Sequence, residues 1–519
     1  MRSPLTTILR RALRQAAANH DANRRQFIRT ASMAAVATSL PPLLVSCGKA
    51  SEIPRTHHPR IVIVGAGLAG LHAAYRLHKL GITADVYEAS AHLGGRVRTA
   101  QDYVIDGAYT ELGGEYIDSV HSDMLSLASE FNLELMDLES GNFAKQTSCF
   151  WFGGQLVTEE ELANALAPYI ERFRSDVAML PGSMSQLSNS MAVGYDAISL
   201  EAYFTSVGVT GWIRGFLETA FVTENGLELG EQSALNALSI MSTDLSEGVF
   251  RPYGESDERF KVVGGNEKIP SALAKGIRER IHTSYALERI AKRGTQFVLT
   301  FRKDLATVDV PADIVLCTLP FTVLRTIGID VPMPEKKRRA IDTLRYGSNA
   351  KIAIAVDEPF WHRDEYNGVL FSDQAFQLAW DHTAFQPTAK GGLTFFSGGA
   401  MCRELGKRPL ESVVRELYAQ LEQPWPRSSN HPVLASQRFH WPSYQFSRGS
   451  YSSYGPGQWA ELYGSEFEPV GNLYFAGEHC STRFKGYMNG AAETGRRAAD
   501  EIAKAVGAWK ALGVGSRNP

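Results

Sequence analysis

The sequence predicts an α/β protein whose nucleotide-binding domain is assembled from separated pieces of chain, and three observations predict it. Ile61-Val62-Ile63-Val64 is a continuous apolar run, as a central parallel strand buried on both faces requires. It leads directly into Gly65-Ala66-Gly67-Leu68-Ala69-Gly70, after which Leu71, Ala74, Leu77 and Leu80 recur at helical spacing. A second glycine-rich stretch, Phe475-Ala476-Gly477-Glu478 running on to Gly486-Tyr487-Met488-Asn489-Gly490-Ala491, lies at the far end of the chain. A nicotinamide site is usually completed within one contiguous domain, whereas a site closed by the distant C-terminus suits a long cofactor gripped at both ends. That points to FAD.

The elements follow in order. Gly81 is a plausible stop for the first helix, and a second strand, Ala84-Asp85-Val86-Tyr87, ends at Glu88. In this context Gly65 allows the tight bend, Gly67 lets backbone amides approach a pyrophosphate, and Gly70 permits close contact of helix and strand. Ala69 lies in the same first turn and is counted with them as a cofactor contact. Glu88 is placed to accept hydrogen bonds from ribose hydroxyls, and an acid there disfavours a 2′-phosphate. Leu93-Gly94-Gly95-Arg96 follows, where Arg96 is either a phosphate clamp or a solvated turn arginine. Glu111-Leu112-Gly113-Gly114-Glu115-Tyr116 then brings backbone close to something flat.

From about Ser122 to Met241 the pattern reads as helices, with Thr158-Glu159-Glu160-Glu161 fitting a capping box. Strand patterns return in Phe297 to Phe301, Ile314 to Leu319, Lys351 to Val356 and Leu393 to Phe396. The expected architecture is a Rossmann-like FAD-binding domain from discontinuous segments (60–118, 255–330 and 465–505), with an inserted α+β substrate domain (119–254 and 331–464) and a tail at 506–519.

Composition narrows the class. The chain has 519 residues, 44% of them hydrophobic and 21% charged, with net charge −3, which gives no clustered positive surface for nucleic acid. Basic character sits at the N-terminus, where Asn23-Arg24-Arg25-Gln26-Phe27-Ile28-Arg29 precedes a mildly apolar run ending in Leu44-Val45-Ser46-Cys47. Residues 1–47 resemble a twin-arginine (Tat) export signal with a lipoprotein processing box, although a disordered basic tail is the plain alternative. Acylation of Cys47 would tether the protein to a membrane through the linker 48–59, and a different cut would leave it soluble in the periplasm. Cys149, Cys317, Cys402 and Cys480 are widely spaced, and the 13 histidines show no metal-ligand spacing, so no metal site is expected.

With these motifs in order, the chain resembles the flavin-containing amine oxidase family of monoamine, polyamine and L-amino-acid oxidases, from about residue 60 to about 505. The resemblance implies that Glu88 holds the ribose, Arg96 a phosphate, Gly113 and Gly114 the flavin pocket, and the backbone of Leu287 the adenine. Val262-Val263-Gly264-Gly265-Asn266 resembles the family's return into the FAD domain. Lys351 matches a lysine that holds a water beside flavin N5; on the residues alone, a lysine at a strand start is more often solvated. Ser450 stands where monoamine oxidases carry a cysteine bonded to flavin, which implies FAD held without a covalent bond. Tyr451 and Tyr487 match two aromatic residues flanking the amine, with core packing as the alternative. Glu478 matches a ribitol contact, and Met488 or a neighbour is a backbone donor at the start of a helix whose dipole favours reduced flavin.

These implications describe an exported FAD-dependent oxidase or dehydrogenase of amines, using oxygen or an electron-transfer protein as acceptor. An L-amino-acid oxidase or amino-acid monooxygenase of the same fold is the nearest alternative. Tyr116 stands where some of those enzymes place a carboxylate-binding arginine, a role that Arg251 or another arginine of the helical insert could take instead. A non-catalytic, FAD-stabilised tethered binding protein and an NAD-dependent dehydrogenase are the other readings.

Overall fold

The computed structural model describes residues 59–140, 146–240 and 256–507. The export signal with Cys47, the linker through His58, Arg251 and the tail beyond Gly507 lie outside the described residues. Five parallel strands form the first sheet, in the order Leu473–Phe475, Ile314–Cys317, Ile61–Val64, Ala84–Tyr87, Ile281–His282. Its members come from widely separated parts of the chain.

The unbroken apolar run of the central strand has a geometric cause. Side chains alternate across a strand, so Ile61 and Ile63 pack with Leu71, Leu77 and Ile502 of the helices on one face. Val62 and Val64 point the other way, onto Phe297, Leu299 and Phe301 of a second, four-stranded sheet. Helices Leu68–Lys79, Lys268–Lys275 and Met488–Ala505 make the first outer layer. The first and last of these touch closely, because a Cβ on Gly495 would lie 2.3 Å from the Ala69 carbonyl oxygen.

A seven-stranded sheet carries the rest, in the order Val433–His440, Asn349–Val356, Gly391–Gly398, Leu378–Asp381, Tyr366–Ser372, Thr147–Phe152, Gln155–Leu156. Helices Glu159–Ala178, Leu200–Val207 and Trp212–Asn225 pack on it through an aromatic core that includes Phe150, Phe216, Phe371 and Trp380. Thr158 begins the first of these with a full capping box: its Oγ1 accepts from Glu161 N at 3.1 Å, and the Glu161 carboxylate accepts from Thr158 N at 2.7 Å.

The segment expected to be helical from Ser122 to Met241 is only partly so. Leu135–Asp137 pairs with Phe260–Val262, and Thr147–Phe152 joins the large sheet parallel to Tyr366–Ser372. Cys149-Phe150-Trp151-Phe152 is a strand-prone aromatic run, and Gly153-Gly154, at φ +62° and +78°, turns it back onto Gln155–Leu156. The C-terminal helix begins at Met488.

Ile63 is fully buried between sheet and helices, so Ile63→Ala should destabilise the protein by about 2–5 kcal/mol, whereas the fully exposed Leu305→Ala should change stability by less than about 0.5 kcal/mol. Urea unfolding of the two variants beside the parent checks both.

Candidate functional site

A cavity of about 490 Å³ opens where the parallel strands end. Gly65, Glu88, Thr318 and Gly477, each within two residues of the end of one strand, line it. This is the crevice at the carboxyl ends of an α/β sheet in which ligands bind. Of the residues singled out from sequence, Gly65, Gly67, Ala69, Glu88, Arg96, Gly114, Leu287, Ser450, Tyr451, Glu478, Tyr487 and Met488 line this cavity. Gly70, Gly113 and Lys351 lie behind its wall rather than on it.

Two helices start at the cavity. Leu68–Lys79 and Met488–Ala505 both lack a side-chain cap at the N-terminus, and neither has an acidic residue in its first turn. Their partial positive charge is therefore left for whatever enters. The glycines differ in what they serve. Gly65 sits at φ +101°, and a Cβ there would meet Thr318 Oγ1 at 2.6 Å, so it is needed by the fold. Gly67 is different: the nearest protein atom to its Cβ position is 3.9 Å away, so the space beside it belongs to the cavity.

Glu88 accepts from Ala66 N at 2.7 Å and from Ser90 N at 2.8 Å, which orients its carboxylate at the mouth of the glycine turn. Burial raises its pKa. Across the cavity, Arg96 Nη1 donates to the Ser450 carbonyl at 2.8 Å and to Glu478 at 2.7 Å. Glu478 also accepts from Ser452 N, Ser452 Oγ and Gly486 N. Burial alone would raise this carboxyl, but Arg96, His479 and the Ser452 side chain bring it down to about 2. Glu478 thus pins three distant segments to one another.

Ser450 Oγ donates to Asn349 Oδ1 at 2.6 Å. Tyr451 is buried, its hydroxyl donated to the Thr223 carbonyl at 2.8 Å, while Tyr487 packs edge-on against His121 with ring centroids 5.1 Å apart. Leu287 lies in strand Ala286–Arg293 next to a register shift. Phe260–Val262 pairs antiparallel with Leu135–Asp137, and Val262 packs in the same core as Ile61 and Ile63.

Lys351 is buried rather than solvated. It is 3% exposed in the second position after the start of strand Asn349–Val356. Its Nζ donates to the Glu111 carbonyl at 2.8 Å, the Gly113 carbonyl at 3.0 Å and the Glu115 carboxylate. These three oxygens match the three donors of an ammonium. Lys261 donates to the other oxygen of Glu115. Burial would raise Glu115, yet the two lysines hold it at about 2. Neither Glu115 nor Lys261 was singled out from sequence, and His121 beside Tyr487 was also missed.

The sequence profile of the flavin containing amine oxidoreductase family matches residues 68–503. The chain is 25% identical over 467 residues to an L-amino-acid oxidase of Demansia vestigiata, covering 87% of this chain and 88% of that protein. It is 25% identical over 478 residues to the flavin-containing amine oxidase A of Sus scrofa, covering 89% and 88%. In structure it resembles a cyclohexylamine oxidase from Brevibacterium oxydans IH-35A with TM-score 0.74 at 19% identity, over 86% of this chain and 99% of that one.

Removing the pin has a signed pH dependence. Glu478→Gln leaves Arg96 with a neutral partner and should cost roughly 3–5 kcal/mol at neutral pH. The folded pKa of Glu478 is depressed from 4.5 to about 2, so its contribution is present above about pH 4.5 and is lost as pH falls towards 2. Urea midpoints of parent and variant should converge on acidification across that window.

Proposed function

The chain belongs to the flavin-containing amine oxidoreductase family, is therefore a flavin-dependent enzyme of amine oxidation, and from that premise we propose that it is an exported amine oxidase or dehydrogenase holding FAD without a covalent bond. The observation that carries this reading is the convergence of two uncapped helix N-termini with Tyr451 and Tyr487 on one cavity at the strand ends.

The residues fit such a cofactor. Gly67 leaves room for a pyrophosphate beside the N-terminus of Leu68–Lys79, where amides and dipole favour an anion. Arg96 commits one terminal nitrogen to Glu478 and Ser450, which leaves its other donors for a phosphate. Glu88 would take the ribose hydroxyls, Leu287 the adenine, and Glu478 would stand beside the ribitol. The N-terminus of Met488–Ala505 would favour negative charge on the flavin ring. At Ser450, a hydroxyl already bonded to Asn349 offers no thiol for a thioether, which supports non-covalent FAD.

A flavin bound here supplies the hydride acceptor. Tyr451 and Tyr487 would flank the amine with apolar faces, and desolvation between them favours the neutral amine by lowering an ammonium's pKa. Loss of hydride from the carbon and a proton from the nitrogen gives an imine, and water converts it to an aldehyde or ketone with release of ammonia or an amine. Oxygen or an electron-transfer protein would take the electrons onward. The similarity to an L-amino-acid oxidase favours amino acids as the second substrate class. Among known motifs, the twin arginines Arg24 and Arg25 and the Leu44 to Cys47 box support Tat export, with the enzyme either lipid-anchored through Cys47 at a membrane face or released into the periplasm.

Anaerobic mixing with a panel of amines and amino acids should bleach the flavin absorbance with at least one class, and repeating it with oxygen and with an artificial acceptor identifies the acceptor type. A panel in which nothing reduces the flavin would overturn the catalytic reading. Acid precipitation should leave the flavin in the supernatant, and flavin retained in the pellet would contradict non-covalent binding.

A further inference from the structure

Ser450 and Tyr451 line the cavity side by side, and both of their hydroxyls donate to groups that do not line it. The acceptor for Tyr451 is the Thr223 carbonyl at 2.8 Å. Thr223 is one of the last four residues of helix Trp212–Asn225, so its carbonyl has no partner inside the helix. Asn349 Nδ2 donates to the same oxygen at 3.1 Å and fills its second lone pair.

A backbone carbonyl cannot donate, so the Asn349 amide has one possible orientation, with its nitrogen on Thr223 and its oxygen on Ser450. An amide oxygen cannot donate either. The Ser450 hydroxyl must therefore do so, and it reaches Asn349 Oδ1 at 2.6 Å. Asn349 is fully buried at the start of strand Asn349–Val356, and a Cβ on Gly226 would lie 2.3 Å from its Oδ1, so the amide is tightly packed. The direction of the Ser450 proton is thus set by a helix carbonyl two hydrogen bonds away.

We propose that Asn349 is a positioning residue that turns the Ser450 hydroxyl proton away from the cavity, a role that rests on the reading of this cavity as the flavin site. With the Tyr451 proton held on Thr223, the wall at these two residues offers lone pairs and an aromatic face but no donor. An isoalloxazine ring carries carbonyl and ring-nitrogen acceptors along one edge and only methyl and aryl C–H groups along the other. A wall without donors has nothing to give the first edge and strands nothing against the second. The uncapped N-terminus of Met488–Ala505, by contrast, has amides to offer. Asn349 thereby biases which edge of the ring lies at Ser450.

Leucine has nearly the shape of asparagine and can make neither of its hydrogen bonds. In Asn349→Leu the Thr223 carbonyl keeps Tyr451 as a donor, and a carbonyl with one partner is tolerated. Ser450 fares worse. Its hydroxyl is left without an acceptor in a site that bound flavin keeps dry, whereas water satisfies it once the flavin has gone. The bound state alone is penalised, so FAD leaves faster. Removing the hydroxyl as well lifts the penalty, because replacing both partners of a buried hydrogen bond by apolar groups is nearly neutral.

The test is a double-mutant cycle on the holoenzyme, read as the rate at which FAD fluorescence appears after dilution. Asn349→Leu should speed release at least about fivefold in the parent, and less than about twofold when introduced into Ser450→Ala. If Asn349→Leu does not accumulate as folded protein, recovery of folded holoenzyme in Asn349→Leu/Ser450→Ala reports the same coupling. A residue that only packs would not be rescued by loss of a hydroxyl, so equal acceleration in both backgrounds, or accumulation of neither variant, overturns the positioning role. Unchanged release in both backgrounds overturns it too. Protein that purifies without flavin overturns the reading of the cavity instead.

Discussion

The strand Ile61–Val64 has to bury both of its faces, and the layers of the molecule follow from that requirement. A strand's side chains alternate, so two apolar partners are needed, one for Ile61 and Ile63 and another for Val62 and Val64. Each fully buried aliphatic side chain contributes about 1.5–3 kcal/mol. Helices supply the first partner and the four-stranded sheet the second. Because all neighbours of this strand run parallel to it, their ends fall together and their turns open on one side. The cavity is a consequence of that alignment.

Alignment alone would leave the cavity walls free to separate, since they come from opposite ends of the chain. Glu478 prevents this. It is reached by Arg96, by Ser452 and by Gly486, so a single carboxylate joins the glycine-rich N-terminal part, the segment bearing Tyr451 and the start of the last helix. Its charge is balanced by Arg96, and its four acceptor sites are taken by protein donors, which is the condition under which a buried carboxylate is tolerated. Positioning Tyr451 and Tyr487 relative to the two helix termini is then a matter of backbone connectivity, Tyr451 lying one residue before Ser452 and Tyr487 one residue after Gly486.

How much of this could be read from sequence depended on how local each cause was. The Ile61–Val64 run, its glycine turn and Glu88 lie within thirty residues, and each reports its own environment through period or spacing. The strand Thr147–Phe152 was read as part of a helical region because its partner, Tyr366–Ser372, is remote in sequence and no short window records the pairing. Gly153-Gly154 was the available signal, a two-residue turn between a long aromatic run and a short strand. The Lys351 site shows the same limit more sharply. Lys351 itself was placed by a resemblance, but its partners Glu115 and Lys261 stand 236 residues from Lys351 and 146 from Glu115, and neither has a local pattern.

The two charged regions around the cavity are opposite in kind, and the contrast says what each is for. At the helix N-termini the positive charge is partial, uncapped and open to the cavity, so it is available to an anion that arrives. Behind Gly113-Gly114 the positive charge is whole, buried and already matched by Glu115, so it is unavailable as a binding group. A full charge placed at the cavity wall without a partner would lose its proton to burial. Matched by one carboxylate shared between two lysines, it is held inside the protein. The open charges are suited to binding, and the closed one holds the backbone of the Gly113-Gly114 turn.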